Sequence, residues 1–165
     1  MPIHYARRLV GRKRTPDANR HLGFVLAFVA GAINAGGFLA VQQYTSHMTG
    51  IVSSMADNLV LGAYDLVLNG AGGLLSFLLG AICSAIMVNY SRRRRRHAEY
   101  AMPLLLEAFL LLCFGLLGSR LADVEGLFVP VTVMLLCFIM GLQNALITNL
   151  SRAEIRTTHI TGIIT

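Results

Sequence analysis

Four stretches of this chain, Leu22–Val41, Leu66–Tyr90, Ala101–Ser119 and Gly126–Leu150, run for about twenty residues with almost no charge. At 1.5 Å per helical residue, ~20 residues cover the ~30 Å hydrocarbon layer of a bilayer. The stretches therefore predict an all-α, polytopic helical membrane protein with about four spans. Composition agrees: 13% of the residues are charged, half the ~25% usual in soluble domains. The first stretch exceeds the ~7–15 residues of a signal-peptide core, so it is read as a retained span.

The charge map orders these spans. Arg7, Arg8, Arg12, Lys13, Arg14 and Arg20 precede the first span, and Arg92, Arg93, Arg94, Arg95 and Arg96 follow the second without a break. Basic segments beside spans favour the cytoplasmic face, so an even number of crossings should separate the two. Leu22–Val41 and Leu66–Tyr90 supply them. Thr45–Ala63, which mixes apolar residues with His47, Ser53, Ser54, Asp57 and Asn58, then does not cross. It is expected to be re-entrant or to lie at the outer face. Were it to cross, the arginine block would face outward. The division is a basic cytoplasmic tail over residues 1–21 and a single membrane domain over 22–165. The arginine block also suits anionic lipid; nucleic acid is not expected as a partner.

Two motif pairs recur in the same order. Gly31-Ala32-Ile33-Asn34-Ala35 precedes Thr45-Ser46-His47-Met48-Thr49-Gly50, and Gly141-Leu142-Gln143-Asn144-Ala145 precedes Thr157-Thr158-His159-Ile160-Thr161-Gly162. The matched order implies an internal repeat, the first copy over about 22–125 and the second beginning at about 126. With three crossings between the histidine motifs, the copies are inverted across the membrane. If Thr45–Ala63 crossed, they would be parallel. Small residues recur at four-residue spacing, as Gly72, Ser76, Gly80 and Ser84 and as Ala27, Gly31 and Ala35. Such stripes let helix backbones approach closely.

The repeats also hold the polar residues most suited to chemistry. Thr45, His47 and Thr49, with Thr157, His159 and Thr161, are expected at broken helix ends, where hydroxyls and free N–H groups cap a helix or hold an anion. On a continuous helix the paired threonines would form one ridge. Asn34, Asn144 and Gln143 lie within spans and should face the bundle interior, since an unpaired amide is costly in hydrocarbon. Gly36 and Gly37 offer a place for the first span to break. Glu107 is the one acid well inside a span, and membrane acids often serve as proton- or ion-coupling groups. Cys83, Cys113 and Cys137 sit in apolar runs without metal or disulfide spacing, so neither a metal nor another cofactor is expected. No P-loop, dinucleotide, nucleophile-elbow or zinc-protease motif is present, and the chain is not expected to be an enzyme.

The blocks Gly31–Leu39, Thr45–Gly50 and Arg156–Gly162 resemble the YoaK-like family of bacterial multi-span membrane proteins of unknown function, over about Leu22–Thr165. The resemblance implies a multi-pass protein of the bacterial inner membrane, and it carries no substrate. Two positions depart from the family pattern: Asn34, where aspartate is frequent, and Ile51, where asparagine often follows the motif's glycine. The family pattern continues beyond Thr165 into further spans, so the chain is expected to be truncated relative to it. The function expected is a secondary transporter for a small solute or ion. Asn34, Thr45, His47, Thr49, Gln143, Asn144, Thr157, His159 and Thr161 would line its site, with Glu107 as a coupling acid and oligomerisation left open. The alternative is a membrane scaffold or partner-binding protein in which the motifs only cap and pack helices.

Overall fold

The structure is a computed structural model that describes residues 15–41, 44–94, 99–121 and 125–151. Among these residues every regular element is a helix: α1 (Pro16–Val41), α2 (Met48–Val60), α3 (Tyr64–Arg93), α4 (Ala101–Leu121) and α5 (Glu125–Ser151). Three are long and apolar enough to cross a membrane, over Asp17–Val41, Tyr64–Arg93 and Pro130–Leu150; α4 is apolar over the shorter Ala101–Leu116. The helices match the four apolar stretches closely, and α2 falls in the ambiguous segment. The second motif, with Thr157, His159 and Thr161, lies outside the described residues.

The start of α1 follows local chemistry. Pro16 occupies the first helical position, where its missing N–H costs nothing, and the Ala18 N–H donates to the Thr15 hydroxyl at 3.3 Å. At the other end of the α1–α2 region, α2 stops in a glycine-based C-cap. Gly62 adopts φ 73°, its N–H donates to the Leu59 carbonyl, and the Ala63 N–H reaches back to the Asn58 carbonyl at 2.9 Å. This pair of bonds closes the helix and turns the chain sharply into α3.

Helix α5 is the hub, packing on α1, α3 and α4. It is apolar all round, and most of its surface is covered, as expected of a helix enclosed by neighbours. Leu22 and Leu26 of α1, Val88 of α3, Tyr100 just before α4, Leu104 of α4, and Leu146 and Leu150 of α5 form one cluster. Val41, Met48, Ile51, Phe77, Val133 and Cys137 form another towards the opposite end. Helices α1 and α4 therefore run antiparallel to α3 and α5. The start of α1 and the Arg92–Arg94 end of α3 lie at the same end of the bundle. Large apolar side chains point away from it, among them Phe28, Leu78, Ile82, Leu105 and Phe109. Those faces fit hydrocarbon.

The α3–α5 contact is the tightest. A Cβ added at Gly80 would collide with the Phe138 carbonyl and lie 3.0 Å from the Leu142 nitrogen; one at Gly141 would strike the Phe77 backbone. The small-residue stripe on α3 thus serves close backbone approach, as its spacing predicts. The corresponding stripe on α1 does not. Ala27, Gly31 and Ala35 are exposed, and α1 instead turns Leu22, Leu26, Ala30, Ile33 and Val41 inward. Nothing approaches Gly31 within 4 Å.

At the basic end, the Arg92 guanidinium donates to Glu99 at 3.3 Å and to the Tyr100 hydroxyl at 2.9 Å, fastening α3 to the start of α4. The first arginine of the block is held by protein groups. Arg94 lies over the Tyr90 ring, 5.5 Å from its centroid. Arg95 and Arg96 lie outside the described residues.

Candidate functional site

The first Thr-x-His-x-Thr-Gly motif occupies a break between two helices that run the same way. Helix α1 does not break at Gly36 and Gly37; it continues to Val41, and among the described residues helix resumes at Met48. Helix α2 then packs antiparallel to the first half of α3: Met48, Ile51 and Phe77 share one apolar cluster, Ile51 and Met55 meet Gly70, and the Gly62 turn joins the two helices directly. Since α1 is also antiparallel to α3, α2 continues in the direction of α1. Its 13 residues extend only ~20 Å, too short to cross alone. Helices α1 and α2 together follow one path along the bundle, interrupted at the motif.

Side chains at the break take distinct positions. Thr45 is fully buried, with its methyl and hydroxyl 3.9 Å from where a Gly37 Cβ would stand. The Asn34 amide donates to the Ser46 hydroxyl at 2.6 Å, fastening the loop to the last turns of α1. Asn34 Oδ1 and Thr45 Oγ1 are buried and have no hydrogen-bond partner among the described residues. His47 stands at the N-cap position of α2 without a side-chain capping bond. Its imidazole folds back over Gly50, where a Cβ would collide with Cδ2. Thr49, in the first turn of α2, is exposed, so Thr45 and Thr49 do not form one helical ridge.

Between α2 and α3 this arrangement leaves a cavity of about 370 Å³ lined by Tyr44, His47, Gly50, Ile51, Ser54, Asn58, Leu66, Asn69 and Gly70. Helical spacing explains its α2 wall, because residues 47, 51, 54 and 58 share a face. Gly50 leaves room for the imidazole, and Gly70 allows Met55 and Ile51 to close in from beneath. The Tyr44 ring is held by stacking on Phe38, 4.9 Å between centroids. Asn58 donates to the Ser54 hydroxyl at 3.3 Å. The polar lining therefore consists of an imidazole, a phenol, a hydroxyl and two amides, with no carboxylate or basic chain among them. Sequence reasoning missed Asn69. Its signal was available: it is an amide in the first turns of an otherwise apolar span.

The remaining site candidates lie elsewhere. Gln143 is fully buried on α5 and donates to the Leu26 carbonyl of α1 at 2.8 Å. Leu26 stands two turns before Asn34, about 12 Å along the helix, so Gln143 belongs to a different layer from the break. Asn144 is half-buried beside it, and its carbonyl accepts from the Thr148 hydroxyl at 2.8 Å. Glu107 is buried on the inner face of α4. The structure thus groups Asn34, Thr45 and His47 at the break and places Gln143 and Glu107 deeper in the bundle.

The Asn34–Ser46 bond gives a direct test of the loop's fastening. In a double-mutant cycle, Asn34→Leu and Ser46→Ala should show a coupling of about 1 kcal/mol, the net worth of a neutral hydrogen bond. Thermal unfolding in detergent measures it; strict additivity would remove the bond from the account.

A family model described as a protein of unknown function (DUF1275) matches residues 22–165. The chain is 28% identical over 141 residues to the UPF0700 transmembrane protein YoaK of Bacillus subtilis, an alignment covering 85% of this chain and 61% of that protein. The chain thus spans about three-fifths of the length of the curated relative it matches. No solved structure matches it.

Proposed function

The chain belongs to the DUF1275 family of proteins of unknown function, and from that premise we propose that it is a secondary transporter of a small polar solute. The observation that carries this reading is the cavity at the interrupted α1–α2 path. Discontinuous membrane helices expose backbone groups and side chains that a continuous helix keeps satisfied, and many transporters bind their substrates at such breaks. The lining here offers hydrogen-bonding groups, His47, Ser54, Asn58 and Asn69, above an apolar floor, with no carboxylate, ammonium or guanidinium among its described residues. That chemistry favours an uncharged polar solute over a metal ion. A volume of about 370 Å³ falls within the range of small-ligand sites.

An inverted repeat supports the same reading. The two Gly-x-x-Asn-Ala blocks lie on α1 and α5, which are antiparallel neighbours. Aligning the blocks pairs Leu26 with Leu136 and Ile33 with Gln143. Gln143 bonds the Leu26 carbonyl, and Ile33 packs in one cluster with Leu136. Each contact is the image of the other, as a local twofold axis requires. Antiparallel repeats of this kind let one half rock against the other around a fixed site.

The test is uptake of neutral polar solutes by vesicles carrying the reconstituted chain, with the longer Bacillus relative in parallel. His47→Ala and Asn69→Leu should each lower flux by about tenfold, the effect of losing ~1.4 kcal/mol of hydrogen bonding in a site. A membrane scaffold predicts otherwise. There the motif only staples helices, so His47→Ala would lower thermal stability and leave solute binding and flux unchanged.

A further inference from the structure

One layer of the bundle core collects polar atoms that no described protein group satisfies. Glu107 of α4 is 3% exposed and Gln143 of α5 is 0% exposed. Both Glu107 carboxyl oxygens and Gln143 Oε1 are buried without a hydrogen-bond partner among the described residues, and so is Ser84 Oγ of α3. The packing clusters place these residues at one level. Leu104, one turn before Glu107, packs against the cluster that contains Leu146, Ile147 and Leu150; Leu110 and Leu111, one turn after it, pack against the cluster that contains Leu136, Ile139 and Met140. Gln143 lies midway between Met140 and Leu146. On α3, Gly80 abuts Leu142, and Ser84 follows one turn later.

We propose that Glu107 is the proton-binding group of this layer, holding a proton that it donates to Gln143 Oε1. An ionised carboxylate sealed between leucine layers, with no cation beside it among the described residues, would carry the full desolvation cost of its charge. A proton removes that charge and converts an acceptor-only group into a donor. It would give Gln143 Oε1 the partner it lacks, while the Gln143 amide already donates to the Leu26 carbonyl. The resulting chain, Glu107 to Gln143 to Leu26, joins α4, α5 and α1 through one proton. Helix α4 packs on α5 and α3. The titratable side chain of α5 between Pro130 and Leu150 is Cys137, two turns from Gln143. On α3 the group nearest the layer is half-buried Cys83, and Arg92 at the far end is engaged by Glu99 and Tyr100. No described base competes for the proton within the layer.

The inference does not depend on transport, because its test needs no solute. Infrared spectroscopy of the chain in lipid vesicles at neutral pH should show the C=O stretch of a protonated carboxyl. Glu107→Gln, which keeps shape and neutrality, should abolish that band while preserving the fold. Gln143→Leu should keep the band and shift it, because its acceptor is gone. A spectrum unchanged by Glu107→Gln would overturn the proton site, as would a carboxylate band at Glu107 that appears with sodium. A band that Gln143→Leu leaves in place would overturn the pairing.

Discussion

Gly80→Leu and Gly141→Leu should each lower the melting temperature in detergent by about 6–12 °C, corresponding to ~3 kcal/mol for a chain of this size. The physical reason is that the obstacles are backbone. A side chain at Gly80 meets the carbonyl of Phe138, and one at Gly141 meets the backbone of Phe77. Neither can rotate away, so relief requires α3 and α5 to separate along the tightest contact in the bundle. Gly72 and Gly70 provide the internal comparison. A Cβ there would meet the terminal methyl of Met134 at 2.5 Å and the Met55 side chain at 2.6 Å, both flexible groups that can change rotamer. Alanine at either position should be milder than alanine at Gly80. Gly31→Ala and Gly36→Ala meet open space and should leave the melting temperature within about 2 °C or raise it. If all these glycines respond alike, the arrangement of α3 against α5 is wrong.

These glycines also mark how far the sequence could be read. Four-residue spacing of small side chains identified the contact stripe on α3, and the same spacing on α1 pointed to a face that is exposed. The difference lies in the neighbouring residues. Leu22, Leu26, Ala30 and Ile33 form a competing inward stripe on α1. A helix apolar on every face gives little amphipathic contrast to choose between them. Glu107 was legible as a buried acid because a lone carboxyl in an apolar run has few alternatives. Its level against Gln143 was not, because that depends on the register of α4 on α5, which no local pattern encodes. Similarly, Thr45–Ala63 announced a break through His47 and Gly50, while the direction of α2 is set afterwards, by the Gly62 turn and the packing of Met55 on Gly70. Asn69 escaped notice because a single amide near a span end reads as an interfacial residue until α2 is laid against it.

The interrupted path of α1 and α2 carries most of the account. It keeps Arg20 and Arg92–Arg94 at one end, makes the Gly-x-x-Asn-Ala blocks antiparallel and forms the cavity between α2 and α3. Its consequence is all-or-none. If α3, of 30 residues and ~45 Å, crosses the membrane, the Leu61 end of α2 and the Arg94 end of α3 are expected on opposite faces. Leu61 and Arg94 are both exposed, so cysteines placed there can react.

The most direct measurement is labelling by a membrane-impermeant maleimide in intact cells, with Cys83, Cys113 and Cys137 replaced by alanine. Leu61→Cys should label from outside without permeabilisation, and Arg94→Cys only once the membrane is opened. Labelling of both sites from the same face would contradict the single interrupted crossing, and with it the inverted repeat and the cavity's place at the outer end.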